Sequence, residues 1–171
     1  MASARAVLRR QNAGFTLIEL LIVIGIISVL AAIIFVAVDP ARRFAEARNA
    51  QRWSEANAVL NAILKCTVDN NGTLPSNLNT AASGTYFMIG TGADATSCTS
   101  QATSAVLDLG ASTCEGATTL APDYMASMPV DPTGSGWTAA KSGYYIIKST
   151  SGRITVGACA AERGEAISVT R

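Results

Sequence analysis

From Leu20 to Val38 the chain runs nineteen residues without a charge, and only Gly25 and Ser28 interrupt its large and medium apolar side chains. A helix needs about 20 such residues to cross the hydrocarbon core of a bilayer. No small domain can bury a helix that is apolar on every side, so lipid or other protein must cover it. Glu19 stands at the start of this run. An ionisable group at that depth is expensive and by default has a function, so Glu19 needs a partner.

The flanks say how the run is used. Arg5, Arg9 and Arg10 precede Gly14, and no acid does. A secretory signal is cut after its apolar region, at a small-x-small site. Here the one sharp punctuation mark, Gly14, comes before that region. Cleavage there would leave the helix attached, with Phe15 as the new first residue, and would turn a net charge of +1 mildly acidic. Arg42, Arg43, Arg48 and Arg52 follow the run, so counting positive charges does not orient it. These four arginines are expected on a solvated helix flank.

Arg-Arg-Gln-Asn-Ala-Gly followed by Phe-Thr-Leu-Ile-Glu-Leu-Leu-Ile-Val-Ile, within residues 9–35, resembles the prepilin signal of type IV pilins and type II secretion pseudopilins. Gly14, Phe15, Thr16, Leu17, Ile18 and Glu19 match it without a gap. The resemblance implies cleavage between Gly14 and Phe15 by a prepilin peptidase and N-methylation of Phe15. It implies that Glu19 compensates the Phe15 ammonium of a neighbouring subunit during assembly. A buried carboxylate is best tolerated beside such a cation, and glycine lets a protease approach its backbone closely. The implied fold is α+β and pilin-like. A long N-terminal helix, its hydrophobic half protruding, packs on a small antiparallel β-sheet. The domains would be a leader peptide over 1–14, a transmembrane and assembly helix over 15–38, an amphipathic half over 39–69, and a β-rich head over 70–171.

Asp39-Pro40 suits a helix restart, since Asp is a good N-cap and Pro a good first helical residue. In a continuous helix Pro40 would instead produce a kink. Pilins often carry a helix-loosening proline about one turn earlier, where this chain has Val36. Beyond Ala41, Trp53, Ala56, Leu60, Ile63 and Leu64 recur at three- and four-residue steps, and this face is expected to pack on the sheet. Asp69-Asn-Asn-Gly72 and Pro75 end the helix.

Strands are expected at 85–92 and 143–149, at 153–158 after the Thr150-Ser151-Gly152 turn, and at 165–170, with a strand or turn at 105–109 and a short helix or turn at 120–128. Tyr145, Ile147, Ile154 and Val156 are the residues expected to face the helix. The Ser/Thr/Gly/Ala-rich stretch 91–119 reads as an exposed loop. The four cysteines, Cys66, Cys98, Cys114 and Cys159, are too widely spaced for zinc and predict two disulfides outside the cytoplasm. Three connectivities are open. The preferred one staples the loop by Cys98–Cys114 and leaves Cys159 to reach back to Cys66. Asp131, in Pro129-Val-Asp-Pro132, is a weak calcium candidate. That segment is similar to one in major pseudopilins, but calcium usually takes several acids, and a turn is the preferred reading. No other cofactor is expected.

The chain contains no histidine, and no nucleophile set or phosphate loop is recognisable, so an enzyme is not expected. The leading expectation is a pilin. It would wait in the inner membrane for the platform and motor that assemble it with copies of itself into an extracellular filament. The alternatives are a pseudopilin of a type II secretion system, or a minor pilin acting as adhesin or DNA-uptake module. Lys141, Lys148 and Arg153 form too thin a basic patch for a nucleic-acid partner to be expected.

Overall fold

The computed structural model describes residues 14–96, 98–134 and 136–171. All of the leader but Gly14 lies outside them. The described residues fall into two compact units, divided between Ala41 and Arg42.

The first unit is dominated by α1, Leu17–Val38, in which no residue is buried. Its 22 residues span roughly 33 Å at 1.5 Å per residue, enough for a hydrocarbon core of about 30 Å. Asp39 leaves the helix in the left-handed conformation, with φ 43°. Pro40 opens α2, Pro40–Asp69. The helix therefore restarts, as the Asp39-Pro40 pair allows. A proline in the first turn loses no intrahelical hydrogen bond, because its missing N–H would have no partner there.

In the second unit α2 lies along a five-stranded sheet, and a short helix α3, Ser76–Thr80, follows it. The strands are β1 Tyr86–Ile89, β2 Ala105–Leu107, β3 Tyr144–Lys148, β4 Ile154–Ala158 and β5 Ser168–Thr170. Their order is β2-β1-β3-β4-β5. All pairings are antiparallel except β1 with β2, which is parallel, so the sheet is mixed at that edge. The loop over 90–104 provides the crossover that a parallel pair requires. Leu120–Tyr124 forms a turn in which the Ala121 backbone is extended, with φ −122° and ψ 129°.

The main core lies between α2 and one face of the sheet. Ala56, Val59, Leu60 and Ile63 meet Ile89, Tyr144, Ile146, Ile154 and Val156 there. The opposite face carries a second, smaller core of Met88, Tyr145, Ala95, Cys98 and Cys159, with Trp137 packed beside it. Two expectations are corrected. Trp53 is 40% exposed instead of lying on the packed face. In β3 the residues facing α2 are Tyr144 and Ile146, one position from the expected Tyr145 and Ile147. Directly paired residues share a face of the sheet, and Ile146 pairs with Val156 while Tyr144 pairs with Ala158.

The disulfide pairing is corrected as well. Cys66 bonds to Cys114, tying the end of α2 to the segment before the Leu120–Tyr124 turn, and Cys98 bonds to Cys159. The second bond holds the Ser/Thr-rich loop against β4, where Thr99 and Ser100 hydroxyls donate to the Cys159 and Ala158 carbonyls at 2.8 and 3.0 Å. The polar residues of this loop thus satisfy the backbone at the end of a strand.

Candidate functional site

The start of α1 is built from Gly14, Phe15, Thr16 and Glu19. Thr16 is the N-cap, and its Oγ1 accepts from the Glu19 backbone N–H at 3.3 Å. The Glu19 carboxylate accepts in return from the Thr16 backbone N–H at 2.9 Å and from the Thr16 hydroxyl at 2.8 Å. This capping box satisfies donors that a helix start leaves open, and it also fixes the direction of the Glu19 side chain. Glu19 is exposed, and among the described residues no Arg or Lys forms an ion pair with it. Phe15, immediately before the cap, is 92% exposed. A Cβ added at Gly14 would meet nothing within 4 Å, so the fold itself imposes no glycine there.

Along α1 every large apolar side chain from Leu17 to Val38 points into open space. The hydroxyl of Ser28 donates to the Ile24 carbonyl at 2.7 Å, so its polar group is satisfied within the helix. An exposed apolar surface of this extent marks an interaction site or a membrane contact.

A second constellation joins α2 to two loops. Arg52, expected on a solvated flank, is instead completely buried. Its Nε and Nη2 donate to the two oxygens of Asp131 at 2.7 and 3.0 Å, and its Nη1 donates to Glu162 at 3.0 Å and to Asn49 at 2.7 Å. Arg48 adds its own pair with Glu162, with Nε to Oε2 at 2.6 Å. Asn49 Nδ2 donates to the Glu162 carbonyl at 2.9 Å and to the Glu165 carboxylate at 2.8 Å. Arg42 and Arg43 fit the expectation better: both side chains are exposed, and both pair with Glu46.

Burial pushes the Asp131 carboxyl up, but hydrogen bonds from Arg52 and Thr133 outweigh it and hold the group below the usual Asp range. For Glu162 the hydrogen bond from Arg48 dominates, and with Arg52 it lowers the group from 4.5 to about 2. Among the described residues no buried side-chain polar atom is left without a partner.

The same network engages Asp131, the calcium candidate. Both oxygens of Asp131 are occupied by the Arg52 guanidinium, and a calcium ion there would have to displace it. Among the described residues no three potential metal ligands cluster anywhere. The residues around Asp131 do not fit that ion.

Residues 9–35 match the family described as the prokaryotic N-terminal methylation motif, which is the prepilin signal of type IV pilins and pseudopilins. No match was found among curated proteins or among solved structures. The matched segment contains the whole capping box and most of α1.

Proposed function

We propose that this chain is a structural subunit that polymerises through α1 into a type IV pilus-like filament. One observation carries the reading. The matched signal leads into a 22-residue helix with no buried residue and a fixed, exposed carboxylate in its first turn. Such a helix is stable in lipid or in a bundle of its own kind, and exchanging one for the other keeps its apolar surface out of water. A prepilin peptidase would remove residues 1–14, leaving 15–38 as the membrane and assembly helix, 39–69 as its amphipathic continuation and 70–171 as the head. Cleavage would place an ammonium at Phe15, immediately before the Thr16 cap. N-methylation there would keep the positive charge. Glu19 of an adjacent subunit would neutralise it in the apolar bundle, where an unpaired charge is strongly disfavoured.

The two disulfides agree with a head that folds outside the cytoplasm. The protein would be held in the inner membrane until the assembly platform and motor withdraw it into an extracellular fibre. The role is structural rather than catalytic.

The shared signal also serves pseudopilins, and the Pro129-Val-Asp-Pro132 segment favours that reading. Its aspartate holds Arg52 and so anchors a head loop to α2. Electron microscopy of sheared surface material, with mass spectrometry of its N-terminus, separates the readings. Methyl-Phe15 in long surface fibres supports the pilin. Processed protein that stays in the cell envelope, with no surface fibre, supports the pseudopilin. Unprocessed protein beginning before Gly14 sinks both.

A further inference from the structure

The buried side chains of α2 divide by chemistry at Ala56. From there to the C-terminal end Ala56, Val59, Leu60, Ala62, Ile63 and Cys66 lie in the main core, and Cys66 is covalently tied to Cys114. Toward the N-terminal end the buried side chains are Ala45, Asn49 and Arg52. One methyl group apart, that end is held by polar contacts. They come from two loops: Asp131 and Thr133 on Arg52, and Glu162 and Glu165 on Arg48, Asn49 and Arg52. The two kinds of attachment fail differently. Apolar packing and a disulfide are indifferent to charge, whereas removing one member of a buried ion pair leaves the other uncompensated. Stretches with few buried apolar contacts are also those that open first in a folded protein.

We propose that the N-terminal part of α2, residues 42–52, is a polar latch. It is docked on the head chiefly through Arg48, Asn49 and Arg52, and it opens as a unit when Glu162 and Asp131 lose their charge. Residues 56–66 stay in place. Opening gives the base of α2 freedom to change its angle against the head without disturbing either core. The charged and titratable groups facing the latch are Arg48 and Arg52 on α2, Asp131 on one loop, and Glu162 and Glu165 on the other. Glu55 and Tyr144, hydrogen-bonded to each other, lie beside it. The latch does not depend on the proposed filament, because every contact in it lies within one chain.

Hydrogen exchange read by mass spectrometry on the full-length chain in detergent micelles tests it. In Glu162→Gln, the amides of residues 44–52 are expected to lose protection by about tenfold or more, while those of 57–66 change by less than about twofold. Asp131→Asn is expected to do the same more strongly. Should that variant fail to fold, Glu162→Gln still decides, because Glu162 is partly exposed and its loss leaves the Arg52–Asp131 pair intact. The wild-type chain at about pH 3, corrected for intrinsic exchange, is expected to show the same localised loss. Equal loss along both stretches, or no loss in either, overturns the latch.

Discussion

Removing one disulfide at a time tests the fold most severely, because the pairing of the four cysteines sets how much each bond contributes. The bonds Cys66–Cys114 and Cys98–Cys159 close loops with sequence separations of 48 and 61. In the chain-entropy account each closure contributes about 4 kcal/mol at 25 °C. The loops interleave, since Cys98 lies between Cys66 and Cys114, so the two contributions are not independent and their sum is an upper bound. The variant Cys66→Ala/Cys114→Ala also deletes two sulfur atoms from the main core, which adds a cavity term of about 1 kcal/mol. Urea unfolding of the full chain in detergent is expected to show a loss of about 4–5 kcal/mol for that variant and about 4 for Cys98→Ala/Cys159→Ala. Against a total stability of about 5–15 kcal/mol, either loss is large. The slope of free energy on urea is expected to rise in both, because a less cross-linked unfolded chain exposes more surface. A loss below about 1 kcal/mol in either variant would refute the loop-closure reasoning. A non-reduced peptide map joining Cys98 to Cys114 would refute the pairing itself.

Acid should weaken the head in a defined window. Glu162 is lowered from 4.5 to about 2 in the folded chain, so its contribution is complete above 4.5 and disappears as pH falls toward 2. Thermal melts from pH 6 to 2.5 are expected to fall steeply below pH 4.5, and Glu162→Gln should flatten the curve; an unchanged slope in that variant would remove Glu162 as the cause. Gly157→Ala places a Cβ against the Tyr145 ring and 2.6 Å from the Ile167 carbonyl oxygen, and is expected to destabilise by about 1–3 kcal/mol in the same melts. Glu19→Ala should be processed normally yet yield few or no fibres, as seen by immunoblot and electron microscopy; abundant fibres would dismiss the proposed charge pairing. Gly14→Leu has open space for its side chain in the folded chain, so uncleaved but folded protein in the membrane is the expected outcome.

The N-terminal part of this molecule was legible because its signals are local and strong. An uncharged run of nineteen residues, one carboxylate at its start and an Asp-Pro pair at its end each constrain the backbone where they stand. Strand positions were legible for the same reason. The facing of β3 was not, and its composition explains why. Tyr-Tyr-Ile-Ile-Lys offers an apolar residue to both sides, so alternation cannot choose between them. Both faces are in fact covered, one by α2 and the other by the loop that Cys98 pins to Cys159. That cover comes from a stretch whose Ser/Thr-rich composition reads as solvent-exposed. Once Ile154 and Val156 are placed on α2, the pairing of the hairpin requires Tyr144 and Ile146 beside them, so consistent cross-strand pairing would have excluded Tyr145.

Arg52 teaches a sharper point about periodicity. The buried positions 45, 49, 52, 56, 59, 63 and 66 of α2 recur in steps of four and three residues without a break. The spacing that identifies Ala56 and Ile63 as core therefore identifies Asn49 and Arg52 as well, and residue type alone set them aside. An arginine on the buried stripe of a helix demands a carboxylate from elsewhere in the chain, since an isolated buried charge is not tolerated. Few acids could supply it, and Asp131, held in a short turn between Val130 and Pro132, is already committed to a fixed direction. The arginine expected on a solvated flank and the aspartate expected in a turn are thus two halves of one requirement. Periodicity places the first, and the cost of burying its charge calls for the second.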